Sequence, residues 1–465
     1  MMKPAPIPFY NRSKEIAELE KLLSSGKFQF HVLWGRRRVG KTALLRKVFL
    51  NRSDVPFIYF LATELEEQHN IALFKRTVHE VLEDGDIGML RDDWEVLFQY
   101  LAKRRVVVVV DEFPYLLAGN KAVKSVFQRI IDLHWSQTKN MLVLCGSSIK
   151  MMNSEVLSSN SPLYGRRTSQ RKLDPLEYPV LKEFLPSYPL EDLVMTYSVL
   201  GGIPYYLEQF NPSCHFWDNI LDQCLNPSAV LFEEANLLLR QEFDQLHVYN
   251  TILAVIAGGE TELSKIKNKV GGVRGEISSY LHNLTEVGLV EKRVPFGEDP
   301  LRSRKGRYYL TDHYLRFWYH YILPNKTLLM RGRTDEVLSK IKQSFNSFVG
   351  LAFEDLVHEW LMAGALTESR FPLRPSSVGR WWHKDVEVDW IASDGSNYAF
   401  VEVKWSTLTP KEVQSVVTRL RAKVQSFSKP RGQEFYVVVA RKILDREKIS
   451  LPDTLVYDLH DLFLF

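Results

Sequence analysis

The chain has 465 residues, of which 45% are hydrophobic and 25% are charged. This balance is typical of a soluble globular protein, and no uninterrupted apolar stretch is long enough to span a bilayer, which argues against a membrane partner. The formal net charge of +4 does not by itself indicate a nucleic-acid partner, because such a partner requires clustered charge. The length predicts about three domains.

The N-terminal residues contain no apolar run of the signal-peptide type, so we expect a cytoplasmic protein. Cys145, Cys214 and Cys224 lack the spacing of metal ligands and are expected to be reduced thiols.

The most informative motif is a phosphate-binding loop between a predicted strand, 28–34, and a predicted helix, 43–50. The residues of this loop and its first helical position are Gly35, Arg36, Arg37, Arg38, Val39, Gly40, Lys41, Thr42 and Ala43. The glycines let backbone N–H groups surround a β-phosphate, the Lys41 ammonium bridges the β- and γ-phosphates, and the Thr42 hydroxyl ligates Mg²⁺. The motif therefore predicts a nucleotide-binding protein with ATP and Mg²⁺ as cofactors.

A second apolar strand, predicted over 104–110, ends in two acids. Its five consecutive valines are typical of a strand buried on both faces of a parallel sheet. Asp111 is expected to hold Mg²⁺, directly or through water, and Glu112 to polarise the water that attacks the γ-phosphate. The structural alternative is a strand that merely ends in a solvated acidic turn.

A third apolar strand, 141–145, is followed by Gly146 and Ser147. The Ser147 hydroxyl is placed to sense the γ-phosphate or the attacking water, although a serine at this point is also an ordinary cap.

This order of motifs resembles an AAA-type ATPase of the archaeal ATPase family, close to the STAND signalling ATPases. The resemblance extends to segments 9–23, 162–166 and 201–204. It implies a position beside the nucleotide for Arg12, a sensing or trans-acting role for Arg166, and a lid position near the base for Pro204. A surface salt bridge is the alternative for Arg166. A trans-acting arginine would require a homo-oligomer.

The middle of the chain predicts a helical lid over 191–246, after an ATPase core over 1–190, and then a winged helix over 247–325. The winged-helix pattern consists of helices at 249–257, 261–267 and 275–287 and strands at 289–294 and 306–310. In a DNA-binding interpretation the third helix faces a major groove and the wing contacts phosphates. The residues of these two surfaces are Arg274, Ser278, Ser279 and His282 on the helix and Arg302, Arg304, Lys305 and Arg307 on the wing. A docking module with a solvated wing is the alternative.

The last predicted domain, 326–465, begins with a charged connector and an amphipathic helix that carries Glu354. Two further strands are expected to form a hairpin that brings Asp389, Glu402 and Lys404 together, since residues two apart on a strand share a side. Asp389 and Glu402, with the Val403 carbonyl, could hold Mg²⁺ or Mn²⁺, with Glu354 completing the cage or binding a second metal. Lys404 could orient the metal-bound water or stabilise a pentavalent phosphate.

This pattern resembles the PD-(D/E)XK nuclease superfamily, with Val388 at the place of the proline that names the motif. The resemblance implies a restriction-endonuclease-like α/β domain and metal-dependent cleavage of DNA. The alternative is a structural hairpin held by a salt bridge.

Taken together, the sequence predicts an α/β protein with a parallel-sheet ATPase core, a helical lid, a winged helix and a nuclease-like domain. The function expected is ATP-regulated, metal-dependent cleavage of DNA. Two alternatives remain: a nucleotide-gated DNA-binding switch whose last domain does not cleave, and a protein-interaction scaffold.

Overall fold

The computed structural model describes residues 9–50, 52–243, 245–271, 276–364, 371–429 and 432–464. The chain divides into two compact units. The first consists of the residues up to Leu176 together with Ile203–Tyr205, and the second consists of Glu177–Gly202 and Tyr206–Phe465. Within the described ranges, no helix is long and apolar enough to cross a membrane.

The first unit is built on a parallel sheet in the order β2-β3-β4-β1-β5. Its strands are β1 Gln29–Trp34, β2 Phe57–Leu61, β3 Val107–Asp111, β4 Met141–Gly146 and β5 Ser169–Lys172. Every residue of β3 and β4 is buried, as expected for strands covered on both faces. The predicted parallel sheet with a buried valine strand is confirmed. Because β4 lies between β1 and β3, the ends of all three strands meet at one edge of the sheet.

Helices and a large aromatic cluster complete the first unit. The α-helices are Ser13–Ser24, Lys41–Phe49, Glu67–Leu82, Trp94–Leu101, Phe113–Gly119, Val123–Arg129 and Ile149–Met151, and π-helical turns follow at Ile130–Trp135 and Met152–Leu157. In the core, Phe74 stacks on Phe98 with 5.4 Å between ring centroids, and Trp94 lies 5.4 Å from Phe74. Such rings bury large apolar areas, and they belong to the same buried cluster as residues of β1, β2, β3 and β4.

The second unit begins with a helical region. Its α-helices before residue 250 include Leu181–Phe184, Leu190–Leu200, Phe216–Asn219 and Glu234–Glu242, while helix Pro204–Leu207 contributes residues to both units. Three helices and an antiparallel strand pair follow, in the order that the winged-helix pattern predicts. They are Leu246–Ala257, Leu263–Val270, Ile277–Glu286, β6 Val290–Arg293 and β7 Arg307–Leu310. Arg274 of the predicted third helix lies outside the described residues.

The segment expected to be a charged connector, 326–342, is mostly helical. It comprises the end of helix Leu323–Met330, a turn at 331–333 and the start of the 31-residue helix Thr334–Gly364. Buried apolar residues recur every four positions, at Val337, Ile341 and Phe345, and continue into the predicted amphipathic helix. Charged side chains on the opposite face obscured this apolar stripe, which is what holds the helix in the fold.

The last part of the chain forms a mixed sheet in the order β12-β11-β10-β9-β8. The strands are β8 Ser377–His383, β9 Val386–Ser393, β10 Tyr398–Leu408, β11 Glu434–Ile443 and β12 Thr454–Tyr457. The first three strands are antiparallel, and β10, β11 and β12 are parallel. Helix Pro410–Val424 makes the crossover between β10 and β11 that parallel strands require. The remaining helices are His313–Phe317, which follows the wing, and Leu459–Leu462.

Candidate functional site

The phosphate loop connects β1 to helix Lys41–Phe49, and its backbone requires both of its glycines. Gly40 has a φ of 99°, a region that favours glycine. At Gly35, a Cβ would lie 2.4 Å from the carbonyl oxygen of Leu173. The motif's glycines are therefore needed for the conformation of the loop as well as for close approach of a phosphate.

The Lys41 side chain lies within this loop and is 6% exposed. Its ammonium donates to the Gly35 carbonyl at 2.8 Å and to the Arg36 carbonyl at 3.1 Å. The charge is thus held by uncharged oxygens, which an anionic ligand could replace or join. Arg37 and Ala43 are exposed beside it.

Thr42 and Asp111 come together although they are 69 residues apart. The Thr42 hydroxyl donates to Oδ2 of Asp111 at 2.9 Å. These two oxygen donors fit Mg²⁺, which prefers carboxylate and hydroxyl ligands and completes its shell with water and phosphate.

The hydroxyl of Tyr59, on β2, donates to the same Asp111 oxygen and lies 3.4 Å from the Thr42 oxygen. Burial and the nearby Asp111 carboxylate raise the pKa of Tyr59, so it remains a donor. Sequence reasoning missed this residue, and the only available signal was a tyrosine within the apolar strand that precedes the acidic one.

Glu112 and Ser147 also meet, at the ends of β3 and β4. One oxygen of Glu112 accepts from the Ser147 hydroxyl at 2.8 Å and from the Ser147 N–H at 3.1 Å. Glu112 has a φ of 52°, a left-handed conformation that costs energy in a non-glycine residue and is common at functional sites. The acid that was expected to align water is therefore held by the serine that was expected to sense the γ-phosphate.

Arg12 and Pro204 both lie against the phosphate loop. The buried guanidinium of Arg12 donates to the Val39 carbonyl at 3.1 Å and to the Asp174 carbonyl at 2.7 Å. Arg12 thus stabilises the phosphate loop by a hydrogen bond to its backbone. Cγ of Pro204 lies 3.8 Å from where a Cβ on Gly40 would be. Beside it, the guanidinium of Arg38 lies 4.2 Å from the centroid of the Tyr205 ring.

Arg166 is engaged elsewhere. Its guanidinium binds both carboxylate oxygens of Asp132, at 2.7 and 2.8 Å, and donates to the Pro162 carbonyl at 2.7 Å. In this structure it therefore adopts the surface salt bridge that was the alternative to a sensing role. Within this chain Asp132 binds the planar donors of Arg166 through both carboxylate oxygens.

The acidic residues of the second unit lie where two strands separate. β9 and β10 pair from Ser393↔Tyr398 to Trp390↔Val401 and then stop, although β10 continues to Leu408. At the next position the carboxylate of Asp389 accepts a hydrogen bond from the Val403 N–H at 2.7 Å. A side chain thus replaces the backbone partner, and the strands open at this point.

Glu402 points to the same side as Lys404, whose ammonium lies 2.8 Å from it. A second ammonium, that of Lys423 on helix Pro410–Val424, contacts both Glu402 oxygens at 2.9 Å. Sequence reasoning missed Lys423, because only the crossover between β10 and β11 brings the last turn of this helix over the strand.

Glu354 is held by a cation as well. Arg380, on β8, donates to its carboxylate at 2.5 Å. Burial raises the pKa of Asp389, and the carboxylates of Glu354 and Glu402 raise it further, so the three acids are close enough to act on one another.

Among the described residues, however, no group of three Asp, Glu, His or Cys side chains is arranged to hold a metal ion. Because Arg380 binds Glu354 in this structure, the expected role of Glu354 in completing the cage or binding a second metal stays a prediction. Asp389 and Glu402 remain as two carboxylates beside the Val403 backbone.

The sheet order, the phosphate loop and the acidic strand define the first unit as a P-loop ATPase domain. A family model described as an ATPase domain predominantly from Archaea matches residues 9–210, and a second, described as archaea bacterial proteins of unknown function, matches residues 318–416. An uncharacterized protein of Methanocaldococcus jannaschii is 37% identical over 455 residues, which cover 97% of this chain and 99% of that protein. The chain therefore belongs to the family of this archaeal protein.

Two further similarities fit this assignment. An uncharacterized ATP-binding protein of Methanocaldococcus jannaschii is 41% identical over 46 residues, which cover 10% of this chain and 78% of that protein. The solved structure of a Walker-type ATPase of Pyrococcus abyssi aligns with a TM-score of 0.52 at 21% identity, covering 67% of this chain and 96% of that one. At this identity the likeness concerns the fold alone.

Proposed function

We propose that the protein binds and hydrolyses ATP with Mg²⁺ at the phosphate loop. The observation that carries the proposal is the meeting of Thr42 with Asp111 at the mouth of a loop that holds the Lys41 ammonium. The loop N–H groups and Lys41 bind the β- and γ-phosphates, and Thr42 and Asp111 hold the metal. Bound Mg²⁺ would neutralise charge on the phosphates.

In this proposal Glu112 orients the attacking water and accepts its proton. Ser147 positions the Glu112 carboxylate through two hydrogen bonds and leaves its other oxygen for the water. Arg12 and Pro204 act on the loop conformation, since their contacts are with its backbone and with Gly40.

The test is ATP hydrolysis and nucleotide binding by the full chain with Mg²⁺. Lys41→Ala should abolish measurable turnover and weaken ATP binding, because it removes the cation between the β- and γ-phosphates. Lys47→Ala is the matched control, since Lys47 lies exposed on the same helix and outside the loop. Equal activity of the two variants would refute the proposal.

A second candidate function is metal-dependent cleavage of DNA by the last part of the chain. Its support is the order helix, three antiparallel strands, helix and parallel strand, together with the opening of β9 and β10 at Asp389. In this proposal the nuclease-like domain spans 326–465, after an ATPase core over 1–190, a helical lid over 191–246 and a winged helix over 247–325.

The residues that would hold Mg²⁺ or Mn²⁺ are Asp389 and Glu402, which supply hard oxygen ligands, and the metal would supply an activated water. Both oxygens of Glu402 are bound by lysine ammonium groups. Metal binding therefore requires at least Lys423 to withdraw, whereas Lys404 would remain close enough to stabilise a phosphate.

The experiment compares cleavage of linear, circular and single-stranded DNA by wild type, Asp389→Ala and Lys404→Ala, with Mg²⁺ or Mn²⁺. Loss of cleavage in both variants would support this function. Absence of metal-dependent cleavage in the wild type would leave the non-cleaving, nucleotide-gated DNA-binding switch. Lys442→Ala is a suitable control, because Lys442 is exposed on β11, away from Glu402.

A further inference from the structure

A basic cleft lies in the second unit, outside both candidate sites. Its volume is about 620 Å³, and it is formed by helix Leu263–Val270, the end of the wing and the turn between β8 and β9. The cations among its lining residues are Lys267, Arg304, Lys305, Arg307 and Lys384, and the lining carboxylate is Glu262. The lining therefore carries a clear excess of positive charge contributed by three separate segments.

Three of these cations are available to a ligand. Among the described residues, the side chains of Lys267, Arg304 and Lys384 have no ion-pair or hydrogen-bond partner. Lys305 is paired with Glu298 at 2.6 Å, and Arg307 is paired with Glu387 at 2.9 Å. Unpaired cations along a cleft create a positive potential that attracts polyanions.

Contacts between the three segments hold the cleft in shape. The guanidinium of Arg307 lies 4.6 Å from the centroid of the Trp382 ring, which joins the wing to β8. The Tyr308 N–H donates to the Thr261 carbonyl at 2.7 Å, which joins the wing to the start of the neighbouring helix. The cleft is thus a composite surface of the winged-helix region and the C-terminal sheet, and the backbone segments that carry its cations are held together before a ligand binds.

The third helix of the winged-helix region does not share this charge. Within Ile277–Glu286 the residues that can carry charge near neutral pH are His282 and Glu286. Nε2 of His282 lies 3.7 Å from Oε1 of Glu286. A helix that bears one carboxylate and one histidine offers little attraction to phosphate. The positive surface of this region is therefore the cleft beside the wing rather than the described part of the helix that was expected to enter a major groove.

We propose that this basic cleft binds the phosphodiester backbone of DNA. A small anion is bound by one or two cations, whereas Lys267, Arg304 and Lys384 come from three different segments that line a cleft of about 620 Å³. A backbone with repeated charges matches that arrangement. The inference rests on the DNA-directed function proposed above and adds where the strand lies.

The test measures binding of short fluorescent DNA, duplex and single-stranded, and of RNA of the same length to the full chain at several salt concentrations, with EDTA present so that no cleavage occurs. The combined variant Lys267→Ala, Arg304→Ala, Lys384→Ala should raise Kd at least about tenfold. It should also reduce the slope of log Kd against log salt concentration by roughly two to three. Thermal unfolding and ATP hydrolysis verify that the variant is folded.

The matched control combines Lys269→Ala, Lys340→Ala and Lys411→Ala, which also removes three positive charges. Lys269 lies on the same helix and pairs with Glu260, Lys340 and Lys411 are exposed elsewhere in the second unit, and none of the three lines the cleft. The control should bind DNA as the wild type does.

Equal weakening in control and cleft variants would overturn the proposal, as would no DNA binding by the wild type. Cleft-dependent binding of RNA that is tighter than that of DNA would also overturn the DNA assignment. Cleft-dependent DNA binding without any cleavage in Mg²⁺ would support the cleft and refute only the nuclease function.

Discussion

The phosphate-loop site and the acidic site hold their charged groups in opposite ways. In the first, the Lys41 ammonium rests on carbonyl oxygens, and Asp111 is bound by the hydroxyls of Thr42 and Tyr59. In the part of the chain that the structure describes, Lys41 and Asp111 form no ion pair that would have to break before a phosphate or a metal ion binds there. The first site is therefore prepared for charged ligands.

In the acidic site the protein's own cations occupy the carboxylates. Glu354 is bound by Arg380, and Glu402 is bound by Lys404 and Lys423. A metal ion must compete with ammonium groups that already bind Glu402, whereas the Asp389 carboxylate accepts a hydrogen bond from the Val403 backbone N–H. Similar sets of acids and lysines can therefore form either a ligand site or an internally neutralised cluster, depending on which partners the fold supplies.

The largest expected effect is at the phosphate-loop site. Glu112→Gln should lower kcat for ATP hydrolysis by about 10²- to 10⁴-fold while ATP binding is retained, because the amide cannot accept a proton from water. Steady-state hydrolysis and nucleotide binding measure the two quantities. Glu155→Gln, in an ion pair with Lys124, is the control in the same unit. Unchanged turnover in Glu112→Gln would exclude Glu112 as the water-aligning acid.

A smaller effect, on stability, is expected at the acidic site. Glu402→Gln leaves two ammonium groups without their carboxylate and should lower the free energy of unfolding by about 1 to 3 kcal/mol. The lysine side chains are 36% and 31% exposed, so water limits the loss. Urea unfolding measures the change, and Lys423→Met should cost less because Lys404 still binds Glu402. A Glu402→Gln protein as stable as the wild type would contradict the view of a neutralised cluster.

The pH dependence of stability is a further test of how the acidic site holds its carboxyl groups. Burial, Glu354 and Glu402 raise the pKa of Asp389 to about 7 in the folded state. Between the ordinary pKa of an aspartate and pH 7, Asp389 therefore stays protonated in the folded state but is ionised in the unfolded state. Asp389 should therefore lower stability by about 1 kcal/mol for each pH unit between roughly 4 and 7. Asp389→Asn should remove this slope, so the stability of the variant relative to the wild type should be greater at pH 8 than at pH 5. An identical slope in both proteins would show that Asp389 is ionised throughout.

The smallest expected effect belongs to Arg166. Arg166→Ala removes a partly exposed ion pair with Asp132 and should lower the free energy of unfolding by less than about 1 kcal/mol. ATP hydrolysis should stay within about twofold of the wild type. Asp132→Asn removes the same ion pair and serves as the comparison. Loss of hydrolysis in Arg166→Ala alone, with stability unchanged, would assign Arg166 to a nucleotide site after all.

Much of the fold could be predicted from local patterns. The valine strand, the phosphate loop and the hairpin of β9 and β10 are recognisable because apolar runs, glycines and alternation act over a few residues. Helix Thr334–Gly364 was divided in error, because charged residues on its outer face hid an apolar stripe that is visible only over several turns.

The amino-acid sequence by itself determined the phosphate loop, the acids that end β3 and the pairing of Glu402 with Lys404, since each depends on residues that are adjacent or share one strand face. Only the tertiary structure decided which distant groups meet them. The Tyr59 hydroxyl reaches Asp111 through the neighbouring strand, Lys423 reaches Glu402 through a crossover helix, and three segments assemble the basic cleft. Such partners are tens of residues apart, and packing of helices against sheets, rather than any local pattern, places them within hydrogen-bond distance.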